Sequence, residues 1–219
     1  MKLLAVLSGG MDSTAAIAYM RSKDHEVVEA INFAYGSKHN EQERQAARDV
    51  AAFYKIPLRE CSLDFVAQNF KSDLLQTGGD IPEGHYADPS MKKTVVPFRN
   101  GIMLSIAAGY AESIDADGIL IGNHAGDHAI YPDCRAPFIV SMIQAIHHGT
   151  YKHIVLESPF VMMSKTKIAE LGHRFGAPFH LTYSCYKGGD VHCGRCGTCF
   201  ERIEAFRDAG VTDPTEYLQ

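Results

Sequence analysis

Two short stretches carry residue types and spacings that can do chemistry. The first is Leu7-Ser8-Gly9-Gly10-Met11-Asp12-Ser13, which follows an apolar run and opens a helical pattern. Paired glycines let the backbone bend sharply and approach an anion closely. The N–H groups at the helix start then point at that anion, and the helix dipole favours it. Ser8 and Ser13 add hydroxyl donors, while Asp12 is expected to hold Mg²⁺ or to orient the loop. The plain alternative is a strand-to-helix turn with a Ser or Asp cap. The stretch matches neither the Gly-Lys-Ser/Thr phosphate loop nor the dinucleotide fingerprint.

The second stretch holds Cys185, Cys193, Cys196 and Cys199, spaced C-x7-C-x2-C-x2-C. Thiolates two residues apart in a tight turn can both reach one tetrahedral ion at ~2.3 Å. Four protein ligands leave no position open for water, so a structural zinc is expected. A redox pair needs only two of these cysteines, and an iron–sulfur cluster also takes four. His192 is a further candidate ligand.

A third candidate is Lys165, which with Lys167 falls in the first turn of a helix capped by Ser164. Cations there oppose the helix dipole at a cost of roughly 0.3–1 kcal/mol each, and a nearby anion would remove it. A solvated surface pair is the plain alternative.

Three middle segments mix charged and aromatic residues without periodicity: Tyr35-Gly36-Ser37-Lys38-His39, Val96-Pro97-Phe98-Arg99-Asn100, and 122–127 with Tyr131-Pro132-Asp133-Cys134-Arg135. Each follows or precedes a regular element, where ligands of α/β folds gather. Taken singly, Arg99 reads as a surface ion-pair partner, His124 and Asp127 as loop-stabilising groups, and Asp133 and Arg135 as partners of each other.

The hexapeptide from Ser8 to Ser13 resembles the Ser-Gly-Gly-x-Asp-Ser signature of N-type ATP pyrophosphatases. Together with Tyr-Gly-x-x-His, Val-Pro-x-Arg-Asn, Tyr-Pro-Asp-Cys-Arg, the Lys165 helix and Ser184-Cys185-Tyr186 with the cysteine cluster, it resembles the 7-cyano-7-deazaguanine synthase family over nearly the whole chain. Two positions depart: Ser37-Lys38 stands where the family has Gln-Arg or Gln-Lys, and Phe98 where it has Gly.

The resemblance implies an ATP-dependent ligase that turns 7-carboxy-7-deazaguanine and ammonia into a nitrile through an adenylated carboxylate and an adenylated amide. It implies that Leu7, Ser8, Gly9, Gly10, Asp12 and Ser13 hold pyrophosphate with Mg²⁺. Lys165, Arg99, Lys38, His39 and Asp127 are then the catalytic candidates. Tyr35, Phe98, Tyr131, Asp133 and Arg135 are the substrate-binding candidates, with Phe98 expected to reshape the nucleobase pocket or its entrance. The expected partners are these small molecules and a second copy of the chain, with no direct nucleic-acid or membrane contact. Rival readings are a synthase that stops at the amide, a sulfur-transferring tRNA enzyme using Cys134, and an interaction module on an inactive fold.

These residues need elements to position them. Apolar runs at 3–7, 26–33, 57–63, 118–122 and 153–156 read as strands. Helical patterns fall at 12–21, 40–54, 100–113, 136–147, 164–174 and 198–208. Strands alternating with helices imply a Rossmann-like α/β fold, a parallel sheet covered on both faces. Residues 1–180 read as the nucleotide-binding domain and 181–219 as a small metal-binding segment packed on it. The aperiodic stretch 76–93 reads as a lid.

With 219 residues the chain can bury roughly 70% of its unfolded surface. A net charge of −5 argues against a broad duplex-binding surface. The apolar start at 1–7 is cut too short for a signal peptide, no run approaches the ~20 residues of a membrane span, and clustered thiols suit a reducing compartment, so a cytoplasmic protein is expected.

Overall fold

In a computed structural model, which describes residues 1–85, 88–124 and 130–218, five parallel strands form one sheet. They are β1 (Lys2–Val6), β2 (Glu26–Ala34), β3 (Leu58–Ser62), β4 (Gly118–Ile121) and β5 (Val155–Glu157), in spatial order β3-β2-β1-β4-β5. The chain lays down β1, β2 and β3 toward one edge and then returns to the far side of β1 for β4 and β5. The order therefore reverses between β1 and β4, and the crevice beyond their carboxyl ends is where such a sheet takes a ligand.

Seven helices cover the sheet among the described residues: α1 (Met11–Arg21), α2 (Asn40–Tyr54), α3 (Asp64–Asn69), α4 (Arg99–Ser113), α5 (Ala136–Gly149), α6 (Lys165–Arg174) and α7 (Gly197–Asp208). Side chains alternate across a strand, so β1 feeds two cores. Leu3, Ala5 and Leu7 pack with α1, α2, α6 and α7 through Ile17, Val50, Ile168 and Phe206. Leu4 packs on the other face with Leu104 and Ala107 of α4 and Ile139 of α5. At about 1.5–3 kcal/mol for each fully buried large aliphatic side chain, these two layers supply the main drive to fold.

The four cysteines belong to the second core and are buried. The described part of the stretch 76–93, expected as a lid, is docked on the cysteine segment. Ile81 is buried, Glu83 bridges antiparallel to Cys196, and the Gly84 N–H donates to the Arg195 carbonyl at 3.2 Å. Glu83 also pairs with Lys187. The described part of the segment is thus a clasp across the cysteine cluster, and Pro89–Thr94 closes it as a 3₁₀ turn. No helix among the described residues is long and apolar enough to cross a membrane.

Candidate active site and metal centre

A cavity of about 220 Å³ opens at the reversal point of the sheet. Its floor is the glycine loop. Gly9 takes φ +85, and a Cβ there would lie 2.5 Å from the Glu43 carbonyl of α2, so only glycine lets the loop pass so close to that helix. The Gly9 carbonyl accepts from the Tyr183 N–H at 3.0 Å, which ties the loop to the segment leading into the cysteines. Gly10 caps α1 with no side-chain acceptor. The leading N–H groups of the helix are therefore left for a ligand, and Gly10, Met11, Asp12 and Ser13 all border the cavity. Ser8 Oγ accepts from Gly10 N–H at 3.2 Å and lies 3.1 Å from Ser13 Oγ, which holds both hydroxyls at the rim.

Lys165 reaches this floor from α6. Ser164 caps the helix by accepting from Lys167 N–H at 3.2 Å. The Lys165 ammonium donates to Asp12 Oδ2 at 2.5 Å, with Glu201 Oε2 at 3.5 Å and His124 Nε2 at 3.4 Å. Burial works against the charge, but Asp12 and Glu201 outweigh it and raise the lysine above its ordinary value. The other Asp12 oxygen, Oδ1, is buried with no partner among the described residues.

The opposite end is aromatic and cationic. Arg99, at the start of α4, donates to the Tyr35 hydroxyl at 3.0 Å and stands 5.2 Å from that ring's centre. Burial pushes the Tyr35 phenol up to about 12, so it stays a neutral hydroxyl at physiological pH. Tyr131 bonds Thr94 at 2.8 Å and lies 3.4 Å from the Tyr186 hydroxyl. Asn32 donates to the Leu7 carbonyl at 2.8 Å, and its buried Oδ1 has no partner among the described residues. The cavity thus offers an anion cradle with a lysine at one end and an arginine-bearing, tyrosine-lined slot at the other.

The structure brings Leu7, Ser8, Gly10, Asp12, Ser13, Lys165, Tyr35, Arg99 and Tyr131 to the cavity wall. Other sequence candidates stand off it. The Lys38 ammonium is spent on the carbonyls of Asp73 (2.8 Å), Gly78 (3.3 Å) and Gly79, so it ties down a loop. His39 is 1% exposed and stacks behind Tyr186, with Nε2 3.4 Å from Glu43. Asp133 Oδ2 accepts the Asn100 N–H at 2.8 Å, which makes it a cap for α4. Arg135 is exposed where α5 begins.

Phe98 does not shape the cavity. It is 59% exposed, packs edge-on against Phe138 at 5.8 Å, and takes φ +53. Glycine adopts that left-handed backbone without strain, whereas a side chain there costs about 1–2 kcal/mol. Asp127 lies outside the described residues.

Sequence reasoning missed Asn32, Glu43 and Glu201 on the wall. A polar Asn inside the apolar strand Ala30-Ile31-Asn32-Phe33 was a usable signal, because a buried amide needs a reason. Glu201 gave none, being separated from Lys165 by most of the cysteine segment.

The ligand atoms of Cys185, Cys193, Cys196 and Cys199 all lie within 4.8 Å of one another, so the four can hold a metal ion. Two of the sulfur pairs are 3.4 and 3.9 Å apart, which brackets the ~3.8 Å tetrahedron edge set by a 2.3 Å Zn–S bond. Backbone N–H groups aim at the sulfurs, from Cys193 to Cys185 Sγ at 3.4 Å and from Cys196 to Cys193 Sγ at 3.3 Å. His192 stands outside this group of ligand atoms, and its Nε2 accepts the Ser184 N–H at 2.9 Å.

A family model described as "Queuosine biosynthesis protein QueC" matches residues 2–210. A protein of Porphyromonas gingivalis named 7-cyano-7-deazaguanine synthase is 53% identical over 98% of this chain and 96% of its own. Proteins of the same name are 46% identical in Caldicellulosiruptor bescii, over 99% of this chain and 97% of theirs, and 46% in Methanoregula boonei, over 99% of both chains. The chain belongs to the QueC family of queuosine biosynthesis proteins.

Proposed function

We propose that the protein converts 7-carboxy-7-deazaguanine and ammonia to 7-cyano-7-deazaguanine at the expense of ATP. One observation carries this reading. The N-terminus of α1, with no side-chain cap, bears Asp12, is met by Lys165 from α6, and shares one cavity with an arginine-and-tyrosine slot. The first suits the pyrophosphate of ATP. The second suits a flat, carboxylate-bearing heterocycle, since a guanidinium recognises a carboxylate with directed hydrogen bonds.

In this account Leu7, Ser8, Gly9, Gly10 and Ser13 cradle pyrophosphate, and Lys165 neutralises it as the substrate carboxylate attacks the α-phosphorus. Arg99 aims that carboxylate, with Tyr35 holding the guanidinium in place. Tyr131 and Tyr186 flank the ring. Ammonia then displaces AMP to give the amide, whose oxygen is adenylated by a second ATP, and loss of AMP leaves the nitrile. Bond-making falls to the reactants, and the residues supply position and charge. Two carboxylates around a single lysine leave the phosphate end net negative. Asp12, with its unpartnered oxygen, fits a Mg²⁺ that would offset the phosphate charge. The four thiolates fit a structural Zn²⁺ that holds residues 181–219 on the nucleotide-binding domain of residues 1–180. The protein acts as a cytoplasmic homodimer on small molecules, without direct contact to nucleic acid, in keeping with its reduced cysteine cluster and acidic charge.

Sulfur transfer through Cys134 is the less favoured reading. Burial and Asp133 push that thiol up to about 11, and it accepts a hydrogen bond from Asn100 at 3.3 Å, so it is no thiolate at neutral pH. The test is incubation with ATP, ammonium and 7-carboxy-7-deazaguanine, followed by mass spectrometry. The nitrile is the expected product. Finding neither amide nor nitrile would sink the substrate assignment.

A further inference from the structure

Glu201 sits where the cysteine segment meets the phosphate end of the cavity. Helix α7 starts inside the cluster, with Cys196 as its cap and Cys199 in its first turn. The residue after Glu201 is Arg202, which has no exposure at all. Its guanidinium is fixed by Asp213 at 3.0 Å, Thr182 at 2.8 Å and Ser184 at 3.1 Å. The backbone carrying Glu201 is therefore held on one side by the cysteines and on the other by a buried arginine. Its carboxylate projects to the cavity, 8% exposed, with Oε2 3.5 Å from Lys165 Nζ and Oε1 3.9 Å from His124 Nε2.

Lys165 is thus held between two carboxylates of different standing. Asp12 belongs to the glycine loop, and its second oxygen is buried with no partner among the described residues. When the nucleotide and its cation engage Asp12, that residue has less to offer Lys165. Glu201, braced from behind, keeps its place. We propose that Glu201 is a positioning residue of the adenylation step: it holds the Lys165 ammonium at the departing pyrophosphate, and the cysteine centre sets where it stands. This rests on the glycine loop being the ATP site.

A fixed carboxylate beside the phosphates also repels them. Its removal should loosen the lysine and relieve that repulsion, so ground-state binding tightens while the chemical step slows. A residue that mattered only for folding would weaken both.

The test is Glu201→Gln, read by pyrophosphate release and by calorimetric binding of α,β-methylene-ATP, with metal content and Tm measured alongside. The expected result is a kcat lower by about tenfold or more, and analogue binding equal to wild type or tighter by about threefold, at wild-type metal content and Tm. In a Lys165→Met background the same substitution should add less than about twofold, because the effect passes through the lysine. An unchanged kcat, or a full additional loss in the Lys165→Met background, would overturn the proposal.

If Glu201→Gln sheds metal, Glu201→Asp decides. A lower kcat with metal retained supports the positioning role, and a loss seen only together with metal loss refutes it. A wild-type protein that neither binds the analogue nor releases pyrophosphate would sink the ATP site itself. Wild-type turnover with an indifferent Glu201→Gln variant would sink only this role.

Discussion

At one end of the cavity an anion cradle is made from six consecutive residues, Ser8 to Ser13, completed by Lys165. At the other, Tyr35, Arg99, Tyr131 and Tyr186 arrive from four separate segments and are held by residues behind them: Thr94 behind Tyr131, His39 behind Tyr186, and Asp133 capping α4 below Arg99. The first end works through backbone N–H groups that depend on Gly9 keeping its φ of +85, with Lys165 as their charged partner. The second works through side chains alone, so its geometry is only as good as the packing behind it. A family can thus keep one phosphate site while its members vary the slot for the second substrate.

The cysteine centre touches both ends, through Tyr186 next to Cys185 and through Glu201 two residues past Cys199. Stripping the metal proposed there, or a Cys193→Ser substitution, is therefore expected to have the largest effect and to disable both ends together. Structural zinc supplies on the order of 10 kcal/mol in small sites, so a stability loss above roughly 5 kcal/mol is expected, read by thermal unfolding with metal analysis. Loss of one end alone would show that the centre does not join them.

Lys165→Met should reduce pyrophosphate release by about 10³-fold, near 4 kcal/mol, as loss of a pre-placed charge partner does. Its Tm should move by only a few degrees. Arg99→Gln is expected to raise the KM for the carboxylate substrate by about 10–100-fold, or 1.5–3 kcal/mol, while α,β-methylene-ATP binds as before. Equal weakening of both ligands would erase the division between the two ends.

The smallest effect belongs to Phe98→Gly. Relief of a left-handed residue gains ~1 kcal/mol, and loss of the Phe98–Phe138 edge contact costs about 0.5–1.5 kcal/mol. Stability in urea should stay within about 1 kcal/mol, and turnover should be unchanged, because the ring stands outside the cavity. A change in substrate preference would put Phe98 back in the slot.

The same contrast explains what the sequence made legible. The helix expected at 40–54 is α2 as observed, and the strands fall within two residues of their expected ends, because apolar periodicity reports burial directly. The glycine loop and the cysteine spacing were also readable, since each is a local pattern with one physical use. Helix α3 went unseen: it is six residues long and buries only Val66, too little to set a period.

The tertiary half was harder to read. Lys38 looked like a ligand for an anion, but the carbonyls it binds belong to residues 73–79, and backbone acceptors leave no mark on composition. The docking of 76–93 leaves no mark in the sequence for the same reason, as its pairing with Arg195 and Cys196 is made by main chain. Glu201 meets Lys165 only because α6 and α7 pack side by side, which no local pattern announces.

The central claim is that the substrate's own carboxylate oxygens are handed to the α-phosphorus of ATP. Turnover of 7-carboxy-7-deazaguanine carrying ¹⁸O in both carboxylate positions tests it most directly, with AMP and pyrophosphate examined by mass spectrometry. The account predicts two singly labelled AMP molecules for each nitrile, one from the carboxylate and one from the amide, and unlabelled pyrophosphate. Label in pyrophosphate, or nitrile formed beside unlabelled AMP, would contradict it.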